Sequence, residues 1–140
     1  MTSPAERADP RETRESRSWA YLAGFLGVAG LAHFVIPGFY RPLIPPALGD
    51  RTAWVYASGV AEMAVGAALV PPLTRRYAAF TAAALFVVVF PGNLQMAWDA
   101  RDGTEVARTL TLLRLPLQVP LIWWAWHVAS RAKGARDRSG

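Results

Sequence analysis

Arg114 and Gln118 lie four residues apart in a very apolar stretch of the sequence, LTLLRLPLQVPLIWWAW, residues 110–126. In a helix this spacing places both side chains on one face. A guanidinium presents several N–H donors in a fixed fork, so Arg114 is suited to hold an anionic or carbonyl oxygen. The Gln118 amide can add a neutral hydrogen bond. The pair predicts a polar site inside a segment that otherwise avoids water.

Three further polar residues, His33, Glu62 and Asn93, interrupt other apolar runs. A lone charge in a membrane span costs about 2.5–3.5 kcal/mol on insertion scales. Glu62 and Arg114 are therefore predicted to form a buried ion pair, with carboxylate and guanidinium within roughly 4 Å. His33 could exchange a proton near neutral pH. Asn93, which follows a Pro-Gly pair, could offer a neutral hydrogen bond or cap a broken helix.

Composition narrows the possible cofactors and partners. The chain has no cysteine and only two histidines, far apart, so the sequence contains no thiolate or histidine metal motif. It also has no flavin, haem or iron–sulfur motif, and any electrons would have to come from a partner. The net charge of +5 is spread over tails and short loops. We therefore expect no nucleic-acid partner.

Four apolar runs must position these polar residues. They have 18, 22, 22 and 22 residues and cover 19–36, 52–73, 77–98 and 109–130. Crossing a hydrocarbon core takes roughly 20 helical residues, and only helix or a closed barrel satisfies the backbone there. The sequence predicts an all-α protein, an antiparallel four-helix transmembrane bundle in the cell membrane with the lipid bilayer as its surroundings. The third run is predicted to form one span, and the fourth to be kinked at its prolines.

The distribution of Lys and Arg predicts the orientation of this bundle. Ten of these residues lie in the two tails and the 74–76 turn, against four in the other two loops. Both termini are therefore predicted to be cytoplasmic. Residues 1–18 are predicted to be a disordered charged leader and 131–140 a basic cytoplasmic tail, on either side of a membrane domain at 19–130. The proline-rich loop after the first span is expected to run as irregular structure along the outer membrane surface.

In this topology the polar residues of all four spans fall in the outer half of the bundle or near its midplane. The predicted site consists of His33, Glu62, Asn93, Arg114 and Gln118. Depths counted from the ends of the runs put His33 and Glu62 about seven residues, or roughly 10 Å of helix rise, apart.

The stretches GLAHFVIPGFYRPLIPPALGDR, VYASGVAEMAVGAALVPPLTRR, VFPGNLQMAW and RLPLQVPLIWWAW resemble the DoxX family of small bacterial membrane proteins. The resemblance extends from about residue 24 to residue 126. It implies a four-helix membrane bundle of the bacterial inner membrane. Relatives described as the membrane subunit of a thiosulfate:quinone oxidoreductase suggest a quinone and a membrane or redox protein partner.

These patterns lead to one favoured function and two alternatives. The favoured hypothesis is a binding or redox-accessory subunit, whose outer-half site receives a small polar or amphipathic molecule such as a quinone head group. The first alternative is a structural or assembly subunit in which the polar cluster only sets helix register. The second is an intramembrane enzyme such as an isomerase, using Glu62 and His33 as acid and base. It is the least favoured because of the predicted 10 Å separation.

Overall fold

The structure is a computed structural model that describes residues 17–136, with side chains described as far as residue 132. Within that range every regular element is helical, which confirms the all-α prediction. Two parts of the predicted terminal segments lie outside the described residues: positions 1–16 of the leader and 137–140 of the tail.

Six α-helices make up the described chain: α1 (Ser18–Val35), α2 (Pro37–Tyr40), α3 (Arg51–Ala68), α4 (Arg75–Val88), α5 (Phe90–Asp99) and α6 (Glu105–Arg136). The first apolar run therefore matches α1 to within a residue at each end. The second ends early, because a Pro-Pro pair follows α3 and cannot continue a helix. The fourth extends beyond its predicted end into the first residues of the predicted tail.

The third apolar run, 77–98, is divided into two helices, and Asn93 does not cap the break, because it lies inside the second of them. α4 ends at Val88, Val89 is a turn residue, and α5 begins at Phe90. Pro91 lies in the first turn of α5, where its missing N–H would have had no partner within that helix. A Cβ on Gly92 would stand 2.7 Å from the carbonyl oxygen of Leu43. The break therefore lets the loop after α2 pack directly on the start of α5.

The helices pack chiefly in two pairs, α1 against α3 and α4 against α6. A buried apolar cluster fills one end of the molecule; its members are Leu22, Leu26, Leu69, Ala78, Ala79, Ala82, Ala83, Phe86, Ala125, Val128 and Ala129. Trp124 donates its indole N–H to Ser18 Oγ at 2.9 Å. The Arg75 guanidinium lies 3.9 Å from the Trp19 ring centroid. The start of α1, the α3–α4 turn and the end of α6 therefore share one end of the molecule.

Two helical stretches in the described chain, Ser18–Val35 and Arg75–Asp102, are long and apolar enough to cross a membrane. The second includes both halves of the divided third run. α3 and α6 do not pass the same criterion of length and composition. The four-span arrangement thus stays a prediction.

Candidate functional site

A cavity of about 910 Å³ is enclosed by residues of α1, α3, α4, α5, α6 and the loop after α2. All five predicted site residues line it: His33, Glu62, Asn93, Arg114 and Gln118. Much of the remaining wall is apolar, including Phe25, Leu26, Leu117 and Leu121. An apolar cavity of a few hundred to a thousand cubic ångströms with a few convergent polar groups is the usual form of a small-molecule site.

His33 and Glu62 meet where α1 packs on α3. His33 Nδ1 lies 3.7 Å from Glu62 Oε2 and 2.8 Å from the carbonyl oxygen of Ala29. Because a carbonyl only accepts, Nδ1 carries the proton, and Nε2 of a neutral imidazole is free to accept one. Glu62 Oε2 is buried and has no hydrogen-bond partner among the described residues. The pair places a proton acceptor beside a carboxylate at the cavity wall.

The predicted separation of about 10 Å between His33 and Glu62 is wrong because it was counted from the ends of the apolar runs. In the structure Gly59 is level with His33, since a Cβ on Gly59 would stand 2.8 Å from His33 Cβ. Glu62 follows three residues later, less than one helical turn. Side chains tilt toward the N-terminus of their own helix, so in two antiparallel helices these two tilt toward each other. Distance therefore no longer argues against an acid–base role.

The predicted ion pair between Glu62 and Arg114 is also wrong: among the described residues, Glu62 Oε2 lies beside His33, 3.7 Å from Nδ1, and forms no ion pair with Arg114. Arg114 Nη1 lies 3.5 Å from Met96 Sδ, and its guanidinium carbon lies 4.9 Å from the Phe39 ring centroid. α3 packs on α1 and α6 packs on α4, so the cavity separates the two charges. Contact with an aromatic face lowers the cost of the unpaired charge. A guanidinium without a carboxylate partner in the described chain thus lines the cavity.

Gln118 and Asn93 form a hydrogen-bonded connection between α6 and the divided third run. Asn93 Nδ2 donates to Gln118 Oε1 at 2.8 Å, and Gln118 Nε2 donates to the carbonyl oxygen of Phe86. Gln118 is only 4% exposed, so both ends of its amide are used inside the fold. Its role is therefore structural in this arrangement, and Asn93 Oδ1 is the amide oxygen that can still face a ligand.

We expect the Asn93–Gln118 connection, and not Glu62–Arg114, to couple energetically. Gln118→Leu leaves the Phe86 carbonyl and the Asn93 amide without a partner, and should lower the free energy of unfolding by about 2–6 kcal/mol, since each buried unsatisfied group costs about 1–3 kcal/mol. A double-mutant cycle of Asn93→Ala and Gln118→Leu should give a coupling above about 0.5 kcal/mol. The matched cycle of Glu62→Gln and Arg114→Gln should give less. Unfolding in detergent measures both, and the reverse order would contradict the assigned contacts.

The sequence did not indicate three aromatic residues that line the cavity: Tyr40, Trp54 and Trp124. The Tyr40 ring stacks on the His33 imidazole at 3.8 Å between centroids and 21° between planes. Burial, and then the nearby Glu62 carboxylate, raise the pKa of the Tyr40 phenol above its ordinary value of 10.0. Tyr40 is the last residue of α2, which begins at Pro37, and that proline was the signal available in the sequence.

Contrary to what the sequence suggested, the loop after α2 is not wholly irregular, and its predicted course along the outer membrane surface stays a prediction. It forms short 3-10 turns at Arg41–Leu43 and Pro46–Leu48. Leu43, Ile44 and Leu48 from this loop line the cavity. Prolines at the start of each turn fix the backbone in the conformation required. The loop therefore closes one end of the cavity.

Comparison with known proteins places the chain in a family. Residues 22–129 match the family described as "Domain of unknown function (DUF8561)". The chain belongs to this family. No curated protein and no solved structure matches the chain. The matched range begins within α1 and ends within α6, and includes all five predicted site residues, so the cavity lies wholly within the family's domain.

Proposed function

We propose that the protein crosses the cell membrane four times, through α1, α3, the α4–α5 segment and α6, with both termini cytoplasmic. Only 22% and 28% of the residues in the two apolar stretches are buried, whereas the core helix of a soluble protein is mostly buried. Large apolar side chains also face outward on α6, among them Leu113, Val119 and Trp123. α3 and α6 are less apolar because they carry Glu62, Arg114 and Gln118, which line the cavity and need not meet lipid.

The absence of cysteine makes this topology testable with single introduced thiols. Leu73 in the α3–α4 turn is 73% exposed, and the side chain of Asp102 before α6 is 84% exposed. In intact spheroplasts a membrane-impermeant maleimide should label Asp102→Cys and should label Leu73→Cys only after permeabilisation. The cysteine-free parent controls for background. Equal labelling of both sites before permeabilisation would contradict four spans.

The cavity supports a binding function best. The observation that carries this proposal is that one largely apolar cavity is lined by a guanidinium with no carboxylate partner among the described residues and by the adjacent His33 and Glu62 side chains. A quinone head group fits this chemistry: Arg114 would donate to one carbonyl oxygen, and His33 would pass on one of the two protons that a quinone takes up on two-electron reduction to the quinol. Electrons would come from a redox partner. The resemblance to the DoxX family supports the same ligand class, so the protein is proposed to be a quinone-binding redox-accessory subunit.

A titration of tryptophan fluorescence tests this proposal, because quinones quench nearby indoles and Trp124 lines the cavity. Decylubiquinone should quench the purified protein saturably. Trp54 lines the cavity as well, so Trp124→Phe should remove a clear part of the saturable quenching, and Trp54→Phe combined with Trp124→Phe should remove most of it. Trp126→Phe is the control, since Trp126 is 57% exposed and packs on Phe80 instead. Quenching that never saturates, or that is equal in Trp124→Phe and Trp126→Phe, would contradict binding in this cavity.

An assembly subunit without a ligand is the second candidate, favoured by the Asn93–Gln118 connection. Both amide ends of Gln118 are used within the fold, as a purely structural cluster requires. The two functions differ in their response to quinone. Decylubiquinone should raise the midpoint of thermal unfolding of a binding protein, because a ligand that binds only the native state stabilises it. An assembly subunit should show no such shift.

A further inference from the structure

A second cavity, of about 300 Å³, lies between α3 and α4 beside the main one. The two cavities share a wall made of Trp54, Ser58, Glu62, Phe86, Val88 and Val89. The smaller one is completed by Ala57, Ala61 and Leu85. Ala57 and Ala61 are four residues apart and therefore lie on one face of α3, where their small side chains leave the space between the helices.

This α3–α4 cleft leads to the outside of the molecule. Val88 is 72% exposed and Trp54 is 47% exposed, and both belong to the wall of the cleft. Its walls are mainly apolar, with Ser58 and Glu62 at the side shared with the main cavity. In the four-span arrangement this opening faces the hydrocarbon of the outer leaflet. A hydrocarbon chain can therefore leave the polar cavity without crossing water.

We propose that the α3–α4 cleft holds the hydrocarbon tail of the same molecule whose head group binds in the main cavity. This inference rests on the proposed function and names its substrate class: a membrane-dissolved amphiphile with one alkyl or isoprenoid chain, entering sideways from the bilayer. The shared wall is the reason to assign the tail and the head to one ligand. A separate bilayer lipid could bind on any apolar face, so it would not account for a cleft that adjoins Glu62.

Filling the cleft should separate tail binding from head binding. Ala61→Phe places a ring in the cleft, whereas Ala64→Phe is a matched control on the same helix, because Ala64 is exposed and lines neither cavity. The probes are decylubiquinone and the same head group without the decyl chain. In the wild-type protein the decyl chain should strengthen binding at least about tenfold, as burial of a few methylene groups implies. Ala61→Phe should remove that gain and leave the affinity for the tail-less quinone unchanged.

The outcomes distinguish this inference from the proposed function. If the wild-type protein binds neither probe saturably, the quinone site itself is wrong. If it binds both, and Ala61→Phe weakens both equally or neither, the site stands and the cleft assignment falls. Equal losses in Ala61→Phe and Ala64→Phe would also overturn the cleft. Should Ala61→Phe not fold, Ala57→Leu fills the same cleft from a more exposed position, with the same expected result.

Discussion

Arg114→Gln should weaken quinone binding by a factor of about 10–100 and leave a folded, inserted protein. Hydrogen bonds to charged groups are worth about 1.5–3 kcal/mol, which corresponds to that range of affinity. Because Arg114 contacts Met96 and Phe39 and no carboxylate in the described chain, the substitution breaks no ion pair. Glutamine keeps a donor but loses the charge and the fork. Saturable quenching of tryptophan fluorescence by decylubiquinone measures the loss.

Arg108→Gln is the matched control for this prediction. Arg108 is exposed, lies on the same helix and does not line the cavity. It should bind quinone as the unsubstituted protein does, and both variants should elute as the same monodisperse species in detergent. Unchanged binding in Arg114→Gln would remove Arg114 from the site. Equal losses in the two variants would mean that net positive charge, and not this contact, attracts the ligand.

Gly30→Ala should destabilise the protein by about 1–3 kcal/mol, the usual cost of overpacking. A Cβ at Gly30 would stand 2.7 Å from the Gly59 carbonyl oxygen, and a Cβ at Gly59 would stand 2.8 Å from the Gly30 carbonyl oxygen. Backbone atoms cannot rotate away, so α1 and α3 must separate. That movement would also draw His33 away from Glu62. Unfolding in detergent measures the stability loss, and quenching by decylubiquinone should weaken in parallel.

Gly27→Ala, one turn earlier on α1, is the control variant, and we expect it not to destabilise the protein. A Cβ there would meet nothing within 4 Å. Alanine in the interior of a helix is favoured over glycine by roughly 0.5–1 kcal/mol, so this variant should be as stable as the parent or slightly more so. The sign of the difference between the two variants is the decisive result. If Gly27→Ala destabilises as much as Gly30→Ala, the close α1–α3 contact is not what holds these helices together.

The main helices and five polar residues of the cavity wall could be predicted from the sequence. Apolar runs of sufficient length mark helices with little ambiguity, and α1 matches its run to within a residue at each end. The cavity residues were recognisable because polar side chains are costly in apolar segments and therefore tend to gather together. His33, Glu62, Asn93, Arg114 and Gln118 do line one cavity.

Which polar residues touch each other could not be predicted in the same way. The prediction of an ion pair assumed that each of Glu62 and Arg114 was the nearest polar group available to the other. In the structure, the packing of α1 on α3 places the Glu62 carboxylate beside His33. That packing depends on Gly30 and Gly59, whose contact sets the register of the two helices. Such close contacts between backbones decide the register of two helices. The register cannot be obtained by counting residues from the end of each apolar run.

The break at Val89 and the closing loop show a second limit. Pro91 permits either a kinked helix or two separate ones, and contact between Gly92 and Leu43 accompanies the second outcome. This contact joins segments far apart in the chain. Tyr40, at the end of α2 and directly before that loop, stacks on His33, and this contact too is not contained in the apolar pattern of the sequence.

Photoaffinity labelling with an azidoquinone tests most directly whether the cavity binds a quinone. Adducts mapped by mass spectrometry should fall on cavity residues such as Leu26, Tyr40 and Leu121. Decylubiquinone should compete with the azidoquinone and so reduce the yield of these adducts. The Arg114→Gln substitution should reduce their yield as well. Adducts spread over outward-facing positions such as Val28 and Val119, without competition, would show that quinone meets the protein only from the lipid and would contradict the proposed site.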